Sequence, residues 1–206
     1  MKYPKIHSLY KRDPNTHKFL DEYSKPEFAS CSHRPWDVQE KIDGMNIRIY
    51  IQDNKIIDIE GRTDEAFIPP KLLKWLQRDE LREAIEALEM NTIILFGEGF
   101  GSGIQSGGIY RKDQAMILFD TYGSQRWGTR EEVTSIAEAL GMETPYRIGR
   151  MTMQEAIDYV KSKPNGWYGS GSYPIEGVIC RSEPLVRYNK HSADPIMFKL
   201  KCKDFE

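Results

Sequence analysis

The chain lacks long apolar runs. No stretch of its 206 residues approaches the roughly 20 consecutive apolar residues that a membrane-spanning helix needs. The N-terminal segment Met1-Lys2-Tyr3-Pro4-Lys5 leads into no apolar signal core. The sequence therefore predicts a soluble, cytoplasmic protein that does not bind membranes.

Cysteine is also scarce. Cys31, Cys180 and Cys202 form no CxxC pair, and their odd number argues against a disulfide framework or a zinc site. The histidines are scattered and do not fall at metal-ligand spacing. No GxxxxGK[ST] or GxGxxG sequence opens a helix after a predicted strand, which argues against phosphate binding of the P-loop or Rossmann kind.

The chain has no large excess of charge of either sign. Its formal net charge is −2, so the field of the whole protein does not indicate nucleic-acid binding, and local clusters matter more. One basic cluster, Lys199, Lys201 and Lys203, lies near the end of the sequence. The hydrophobic content of 39% is ordinary for a globular protein, and the length suits one large domain or two small ones.

Hydrophobic periodicity predicts the strands. Residues 45–51 alternate, with Met45, Ile47, Ile49 and Ile51 on one side, which is typical of a half-buried strand. Runs rich in Ile, Val or Phe predict further strands at 36–40, 55–60, 92–98, 114–121, 175–181 and 196–202.

Helices are predicted between these strands. Residues 71–90 have apolar residues at helical spacing and fit one or two helices. Thr129 with Glu132 and Thr152 with Glu155 have the spacing of capping boxes, so each pair predicts the start of a helix. Strands and helices do not alternate strictly, which favours an α+β fold with mainly antiparallel sheets over a doubly wound sheet.

The most informative stretch reads Glu40-Lys41-Ile42-Asp43-Gly44-Met45-Asn46. Taken alone, it fits a hairpin with an exposed lysine. A lysine amine can instead attack the α-phosphate of ATP, provided that it is unprotonated and held in line while the phosphate charge is neutralised. That chemistry requires carboxylates for Mg²⁺ and further basic groups on the phosphate.

The rest of the sequence supplies such groups. Glu98 and Glu176 each fall in a predominantly apolar predicted strand, where an unpaired carboxylate is costly unless it faces a site. Lys199 and Lys201 share one face of another predicted strand. These residues and Lys41 are therefore the candidate catalytic residues.

These segments resemble the motifs of the covalent nucleotidyltransferase superfamily, which comprises DNA ligases, RNA ligases and mRNA capping enzymes. Lys41-Ile42-Asp43-Gly44 resembles motif I and the stretch with Glu98 resembles motif III. Phe119-Asp120 resembles motif IIIa, Glu176-Gly177 motif IV and Lys199-Leu200-Lys201 motif V. The fold implied is a ligase-type adenylyltransferase domain, with two mainly antiparallel sheets flanked by helices around a nucleotide cleft.

Within the superfamily, the sequence is most similar to the RNA ligase 2 family of phage and kinetoplastid repair and editing enzymes. Glu40 precedes the lysine and Asn46 follows it by five, as in the family's E-K-x-x-G-x-N. The segment from Phe96 to Gln105 resembles F-G-E-x-x-G-x-G-I-Q, and the last motif resembles K-x-K-C-K. Asp43 stands where this family has His and DNA ligases have Asp, which leaves the preference for RNA or DNA open.

The resemblance implies a role for each matching residue. Lys41 is the nucleophile, Glu40 lies at the adenine, Phe119 stacks on the base and Glu98 contacts the ribose. Asn46 helps to hold phosphate, and Arg62 matches the motif Ia arginine near the ribose and the incoming strand. Glu176 acts on the metal directly or through its water, and Lys199 and Lys201 hold the α-phosphate. The implied cofactors are ATP and Mg²⁺, with Mn²⁺ able to substitute.

The implied activity is ATP-dependent sealing of RNA 3′-hydroxyl and 5′-phosphate ends through a lysyl-AMP intermediate. The implied partner is RNA, in a nicked duplex or an RNA/DNA hybrid, and the expected state is a monomer. The sequence predicts one nucleotidyltransferase domain over residues 1–206, without the OB or helical domain that usually follows motif V. A minimal DNA ligase and a non-catalytic nucleic-acid-binding module derived from a ligase remain as alternatives.

Overall fold

The computed structural model describes residues 1–63, 65–89, 91–168, 171–189, 192 and 194–206. Within these residues there are twelve strands and five α-helices. The strands are β1 (His7–Ser8), β2 (Tyr10–Arg12), β3 (Phe19–Tyr23), β4 (Trp36–Glu40), β5 (Met45–Gln52), β6 (Lys55–Glu60), β7 (Thr92–Phe100), β8 (Ala115–Gly123), β9 (Arg126–Trp127), β10 (Arg147–Met151), β11 (Gly177–Ser182) and β12 (Met197–Lys201). The helices are α1 (Pro26–Ser30), α2 (Pro70–Leu76), α3 (Asp79–Ala87), α4 (Arg130–Ala139) and α5 (Met153–Lys161).

The chain divides into two compact units. Unit 1 contains Met1–Tyr3 and Asp43–Pro145, and unit 2 contains Pro4–Ile42 and Tyr146–Glu206. Most of unit 1 is therefore inserted, in sequence terms, into unit 2. Each unit has its own sheet and its own hydrophobic core.

The main sheet of unit 2 has the strand order β1-β12-β11-β4-β10. Its neighbouring strands are antiparallel, except that β1 runs parallel to β12. Trp36 and Val38 of β4, together with Phe198 and Leu200 of β12, are fully buried in the core of this unit, to which α5 also contributes. The capping box of Thr152 and Glu155 begins α5. Unit 2 also contains a separate two-stranded sheet, β2-β3.

The sheet of unit 1 has the strand order β6-β5-β7-β8-β9, and all of its pairs are antiparallel. Ile47, Ile49 and Ile51 of β5 are buried against α2, α3 and α4, as the alternation in the sequence predicts. The opposite face of β5 carries Arg48, which is also fully buried. Its guanidinium donates to the Gly61 carbonyl and the Tyr50 hydroxyl, so its donors are satisfied away from water.

The predicted α+β class with mainly antiparallel sheets is confirmed. The strands predicted at 36–40 and 55–60 have the observed bounds, and the others differ from them by a few residues. The stretch 71–90 forms two helices, and Met90 at its predicted end lies outside the described residues. The strands β4 and β5 are not a hairpin, because they belong to different sheets. In the described part of the chain, no helix is both long and apolar enough to cross a membrane.

Candidate active site

Lys41 directly follows β4 in unit 2, at the point where the chain leaves the main sheet. Its backbone N–H donates to the Gly177 carbonyl at 2.9 Å, which extends the pairing of β4 with β11 by one residue. Its Nζ lies 2.6 Å from Glu176 Oε2 and 3.3 Å from the Ile42 carbonyl oxygen. The lysine side chain is therefore held at the end of the sheet by a carboxylate 135 residues away in sequence.

Glu176 also contacts a second lysine. Its other carboxylate oxygen, Oε1, lies 2.6 Å from Lys201 Nζ. This contact follows from strand pairing, because Gly177 is directly opposite Lys201 in the antiparallel pair of β11 and β12. The three side chains keep about a fifth of their surface exposed, so one carboxylate pairs with two ammonium groups in a partly desolvated position, where charges interact more strongly than in bulk water.

Lys199 lies two residues before Lys201 on β12. The strand buries Phe198 and Leu200, whereas both lysines remain partly exposed, so the lysines share the other face of the strand as predicted. Beyond Lys201, the Asp204 carboxylate accepts a hydrogen bond from the Lys201 backbone N–H at 3.2 Å and pairs with Arg12 at 2.5 Å. Asp204 thus fixes the end of β12 at the position of Lys201.

Gly177 has no room for a side chain. A Cβ at this position would lie 2.0 Å from the Leu200 carbonyl oxygen. The close approach of β11 to β12 brings Glu176 beside Lys201, and the Cys202 N–H donates to the Glu176 carbonyl at 3.0 Å. The glycine of the Glu176-Gly177 motif therefore has a steric role in placing the carboxylate.

Glu40 lies on the face of the main sheet that carries Val38, and it is only 3% exposed. Its Oε2 accepts a hydrogen bond from the Trp167 backbone N–H at 2.9 Å, and its Oε1 accepts one from the Tyr173 hydroxyl at 3.2 Å. Burial raises the pKa of the Glu40 carboxyl above its ordinary value, and the two hydrogen bonds oppose that rise. Glu40 thus holds both Trp167 and Tyr173.

Asn46 and Glu98 are direct cross-strand neighbours in unit 1, on the paired strands β5 and β7. Both side chains are half-buried. Among the described residues, no group donates to the buried Oδ1 of Asn46. A buried acceptor without a donor costs about 1–3 kcal/mol, a cost that a ligand with a donor would relieve.

Phe119 occupies a β-bulge. On β8 the pairing with β7 shifts, because Leu118 lies opposite Gly97 whereas Asp120 lies opposite Phe96, which leaves Phe119 as the extra residue. Bulges of this kind redirect a side chain and are frequent next to active sites. Tyr3 packs edge-on against the Phe119 ring at 4.9 Å and donates its hydroxyl hydrogen to Asp120.

The turn after motif I is held within unit 1 by two contacts of Asp43. Its N–H donates to the Tyr110 hydroxyl at 3.1 Å, and its carboxylate accepts a long hydrogen bond from the Ser106 N–H at 3.4 Å. A Cβ on Gly44 would lie 2.2 Å from the Gly99 carbonyl oxygen, which explains the need for glycine at this position. Arg62 is exposed in the segment after β6, next to Gly61, whose carbonyl is held by Arg48.

Glu176, the predicted metal ligand, has two lysine partners. In the described residues, no group of three or more His, Cys, Asp or Glu side chains has the arrangement of a metal site. A single carboxylate is nevertheless compatible with Mg²⁺, which in nucleotide-dependent enzymes takes one or two protein carboxylates and completes its shell with substrate phosphates and water. The residues present therefore fit a metal that arrives with a nucleotide.

The predicted residues fall into two groups. Glu40, Lys41, Glu176, Lys199 and Lys201 lie in unit 2, and Asn46, Arg62, Glu98 and Phe119 lie in unit 1. The structure brings Lys41, Glu176 and Lys201 into direct contact. The sequence analysis did not identify Asp204, which holds the end of β12, or Trp167, which donates a hydrogen bond to Glu40. The spacing of Asp204 from Lys201 resembles that of a capping box, whereas nothing in the sequence pattern connects Trp167 with Glu40.

The comparisons with solved structures concern an RNA ligase of Naegleria gruberi. The structure described as a complex with ATP and Mn superposes with a TM-score of 0.69 at 17% identity, covering 98% of this chain and 56% of that protein. The structure described as a complex with AMP and Mn superposes with a TM-score of 0.67 at 17% identity, covering 98% of this chain and 62% of that protein. A third structure, described as a complex with PPi, has a TM-score of 0.67 at 18% identity and the same two coverages. At this identity the likeness shows a shared fold.

The chain thus spans between 56% and 62% of the length of these solved relatives. A search of curated proteins found no match. The family model of RNA ligases matches residues 34–201, which is most of the chain and includes every candidate residue named above. This chain belongs to the RNA ligase family.

Proposed function

We propose that this protein is an ATP-dependent RNA ligase in which Lys41 becomes adenylylated. The observation that carries the proposal is the contact of Glu176 with both Lys41 and Lys201. These residues come from separate segments of the chain and meet at the end of one sheet, where the sequence motifs I, IV and V converge. Membership of the RNA ligase family supports the same chemistry.

In the first step, the lone pair of Lys41 Nζ forms a bond to the α-phosphorus of ATP. The bond from that phosphorus to the oxygen bridging to the β-phosphate breaks, and pyrophosphate leaves with the electron pair. Nζ must lose a proton to attack, and the Glu176 carboxylate at 2.6 Å is positioned to accept it. Lys199 and Lys201 are proposed to neutralise the phosphate charge that develops.

Glu176 is also the carboxylate proposed to hold Mg²⁺, directly or through a water, with Mn²⁺ able to substitute. The ion would supply positive charge against the phosphate oxygens. In this structure the two oxygens of that carboxylate contact lysines, Oε2 the Nζ of Lys41 and Oε1 the Nζ of Lys201.

The family resemblance is the basis for the proposed roles of the unit 1 residues, which would contact the nucleotide. Phe119 is proposed to stack on the adenine and Glu98 to contact the ribose, with Asn46 helping to hold phosphate. Arg62 is proposed to contact the ribose and the incoming strand, and Glu40 of unit 2 to act at the adenine. The β-bulge at Phe119 supports a ligand role for that residue. The unsatisfied Oδ1 of Asn46 needs a donor, which a phosphate lacks, so Asn46 would contact phosphate through its amide NH2 group.

The later steps transfer AMP to a 5′-phosphate end and then displace it with a 3′-hydroxyl, which seals the strand. The proposed partner is RNA, at a nick in a duplex or in an RNA/DNA hybrid. We propose that residues 1–206 act as one nucleotidyltransferase domain, as a monomer in the cytoplasm. Three cysteines that are all buried and free fit a reducing compartment.

The test is intact mass spectrometry after incubation with ATP and Mg²⁺. The wild-type protein should gain the mass of one AMP through an acid-labile bond. Lys41→Ala should gain nothing, and Lys41→Arg should also gain nothing, because a guanidinium stays protonated and cannot attack.

Lys163 provides a matched control, because its Nζ lies 2.7 Å from Glu206 Oε1 in an ion pair of the same unit. Lys163→Arg should gain one AMP as the wild type does. An adduct that peptide mapping places on any residue other than Lys41 would refute the assignment. Wild-type protein that gains no AMP would instead favour the non-catalytic binding module.

Sealing assays separate the remaining alternatives. Nicked RNA, nicked DNA and hybrid duplexes should be compared with the same protein preparation. Preferential sealing of RNA would support the proposed substrate. Preferential sealing of nicked DNA would instead favour a DNA ligase, the alternative that Asp43 keeps open.

A further inference from the structure

Trp167 is one of the most exposed large apolar side chains of the described residues, with 64% of its surface exposed. Its indole ring is nevertheless ordered against another ring. It stacks on Tyr146 with ring centroids 3.9 Å apart and an angle of 9° between the ring planes. One face of the indole is thus covered by Tyr146, and most of the remaining surface faces solvent.

Both residues of this stack are attached to Glu40. The Glu40 backbone N–H donates to the Tyr146 carbonyl at 2.9 Å, and the Trp167 backbone N–H donates to the Glu40 carboxylate at 2.9 Å. Because Glu40 directly precedes Lys41, the stack is fixed to the residue beside the candidate nucleophile. Lys41, Lys201 and the stack therefore lie at the same end of the main sheet of unit 2.

The segment that carries Trp167 is held by further contacts. The Gly166 N–H donates to the Tyr173 carbonyl at 2.8 Å, and the Tyr168 N–H donates to the Tyr173 hydroxyl at 3.1 Å. A Cβ on Gly166 would lie 2.1 Å from the Tyr173 ring, so the two residues are in close contact. Trp167 thus exposes a large aromatic surface to solvent, while its neighbours Gly166 and Tyr168 are held in place by Tyr173.

We propose that the stack of Trp167 on Tyr146 is a platform on which an unpaired base of single-stranded RNA stacks. Aromatic platforms beside cationic residues are a general means of binding single-stranded nucleic acid, because every base has a flat π-face. Lys41 and Lys201 supply positive charge at the same end of the sheet for the neighbouring phosphates. The inference rests on the proposed function in that RNA is the substrate, and it concerns an unpaired stretch of that RNA rather than the paired bases at a nick.

The proposed function leaves the platform available for a base of a polynucleotide. It assigns stacking on the adenine of ATP to Phe119, and neither Trp167 nor Tyr146 is among the residues that the family resemblance places at the nucleotide. A second aromatic surface at the end of the sheet that carries the lysines is therefore free to take a base of the RNA strand.

The experiment measures binding of a labelled single-stranded oligoribonucleotide by fluorescence anisotropy, with the full chain. Trp167→Ala should weaken binding about tenfold or more, within the range found when a stacking aromatic is truncated. Trp167→Phe should retain most of the affinity. Tyr146→Leu, which removes the supporting ring but keeps bulk, should give an intermediate loss. Ile57→Ala, at an apolar side chain 60% exposed in unit 1, is the control and should bind as the wild type does.

Self-adenylylation at limiting ATP should be measured on the same proteins and should be unchanged in Trp167→Ala. An equal loss in adenylylation would show that the platform takes the adenine of ATP and would overturn the proposal. If Trp167→Ala binds RNA as the wild type does and adenylylates normally, the proposal that the stack binds RNA is wrong, and the proposed function remains intact. Wild-type protein that neither adenylylates nor binds RNA would overturn both.

Discussion

The Glu176 carboxylate lies 2.6 Å from the Nζ of Lys41 through one oxygen, while its other oxygen binds Lys201 at the same distance. The carboxylate thus links the candidate nucleophile to a candidate phosphate-binding lysine. Such an arrangement keeps two like charges close together before ATP binds.

Glu176→Gln should reduce the rate of self-adenylylation by orders of magnitude, because the amide can neither accept a proton from Lys41 nor hold a metal ion as a carboxylate does. The free energy of unfolding should fall by no more than about 3 kcal/mol, the low end for breaking a fully buried ion pair, because about a fifth of each side chain reaches solvent. The first quantity is measured from the time course of AMP incorporation and the second by urea denaturation.

Glu206→Gln is the matched control for this change. It removes an ion-pair carboxylate of the same unit, at 2.7 Å from Lys163 Nζ, and it should leave adenylylation unchanged. If Glu176→Gln loses stability in proportion to its loss of activity, Glu176 is a structural residue and the proposed role is wrong.

Gly177→Ala should impair both folding and chemistry. Its Cβ would lie 2.0 Å from the Leu200 carbonyl oxygen, and backbone atoms cannot move aside without separating β11 from β12. Overpacking of this kind costs about 1–3 kcal/mol, and the displaced Glu176 should slow adenylylation even in the folded fraction. Thermal melts and adenylylation per folded molecule are the measurements. Gly108→Ala, whose nearest neighbour would lie at 3.7 Å, should show neither effect.

Glu40→Gln should change how stability depends on pH. Burial raises the pKa of the Glu40 carboxyl from its ordinary value of 4.5, so the folded protein holds this proton more tightly than the unfolded chain does. The resulting stabilisation is fully present below the ordinary value and is lost as pH rises through the raised one. Glutamine does not titrate. The melting temperature of Glu40→Gln relative to wild type should therefore rise from acidic to neutral pH, and a difference that stays constant with pH would contradict this account.

The sequence predicted those parts of the fold that depend on local periodicity. The alternation in β5 and β12 and the capping boxes at Thr129 and Thr152 each depend on residues within one element, and all four predictions are confirmed. The strands β1, β2, β3, β9 and β10 were missed, because they have only two to five residues and none contains more than one Ile, Val or Phe.

Contacts between residues that are far apart in sequence were harder to predict from local sequence patterns. The stretch around Lys41 reads as a hairpin, but β4 pairs with β10 and β11, which lie far away in sequence, whereas β5 pairs with β6 and β7 in the other sheet. Arg48 belongs to the polar set of an alternating strand and is nevertheless buried, because the Gly61 carbonyl and Glu60 satisfy its donors. The motifs identified Lys41 and Glu176 as candidate residues, but the pairing of Glu176 with Lys201 depends on the register of β11 and β12.

The insertion of most of unit 1 into unit 2 has a consequence for the order in which the protein is made. Lys41 leaves the ribosome 135 residues before Glu176, so at about 5–20 residues per second its counter-charge follows about 7 to 27 seconds later. During that interval, β4 lacks its neighbouring strand β11. A nascent chain can therefore complete the sheet of unit 1 while the candidate nucleophile is still without Glu176 and Lys201. The proposed active-site cluster is among the last features of the molecule to form.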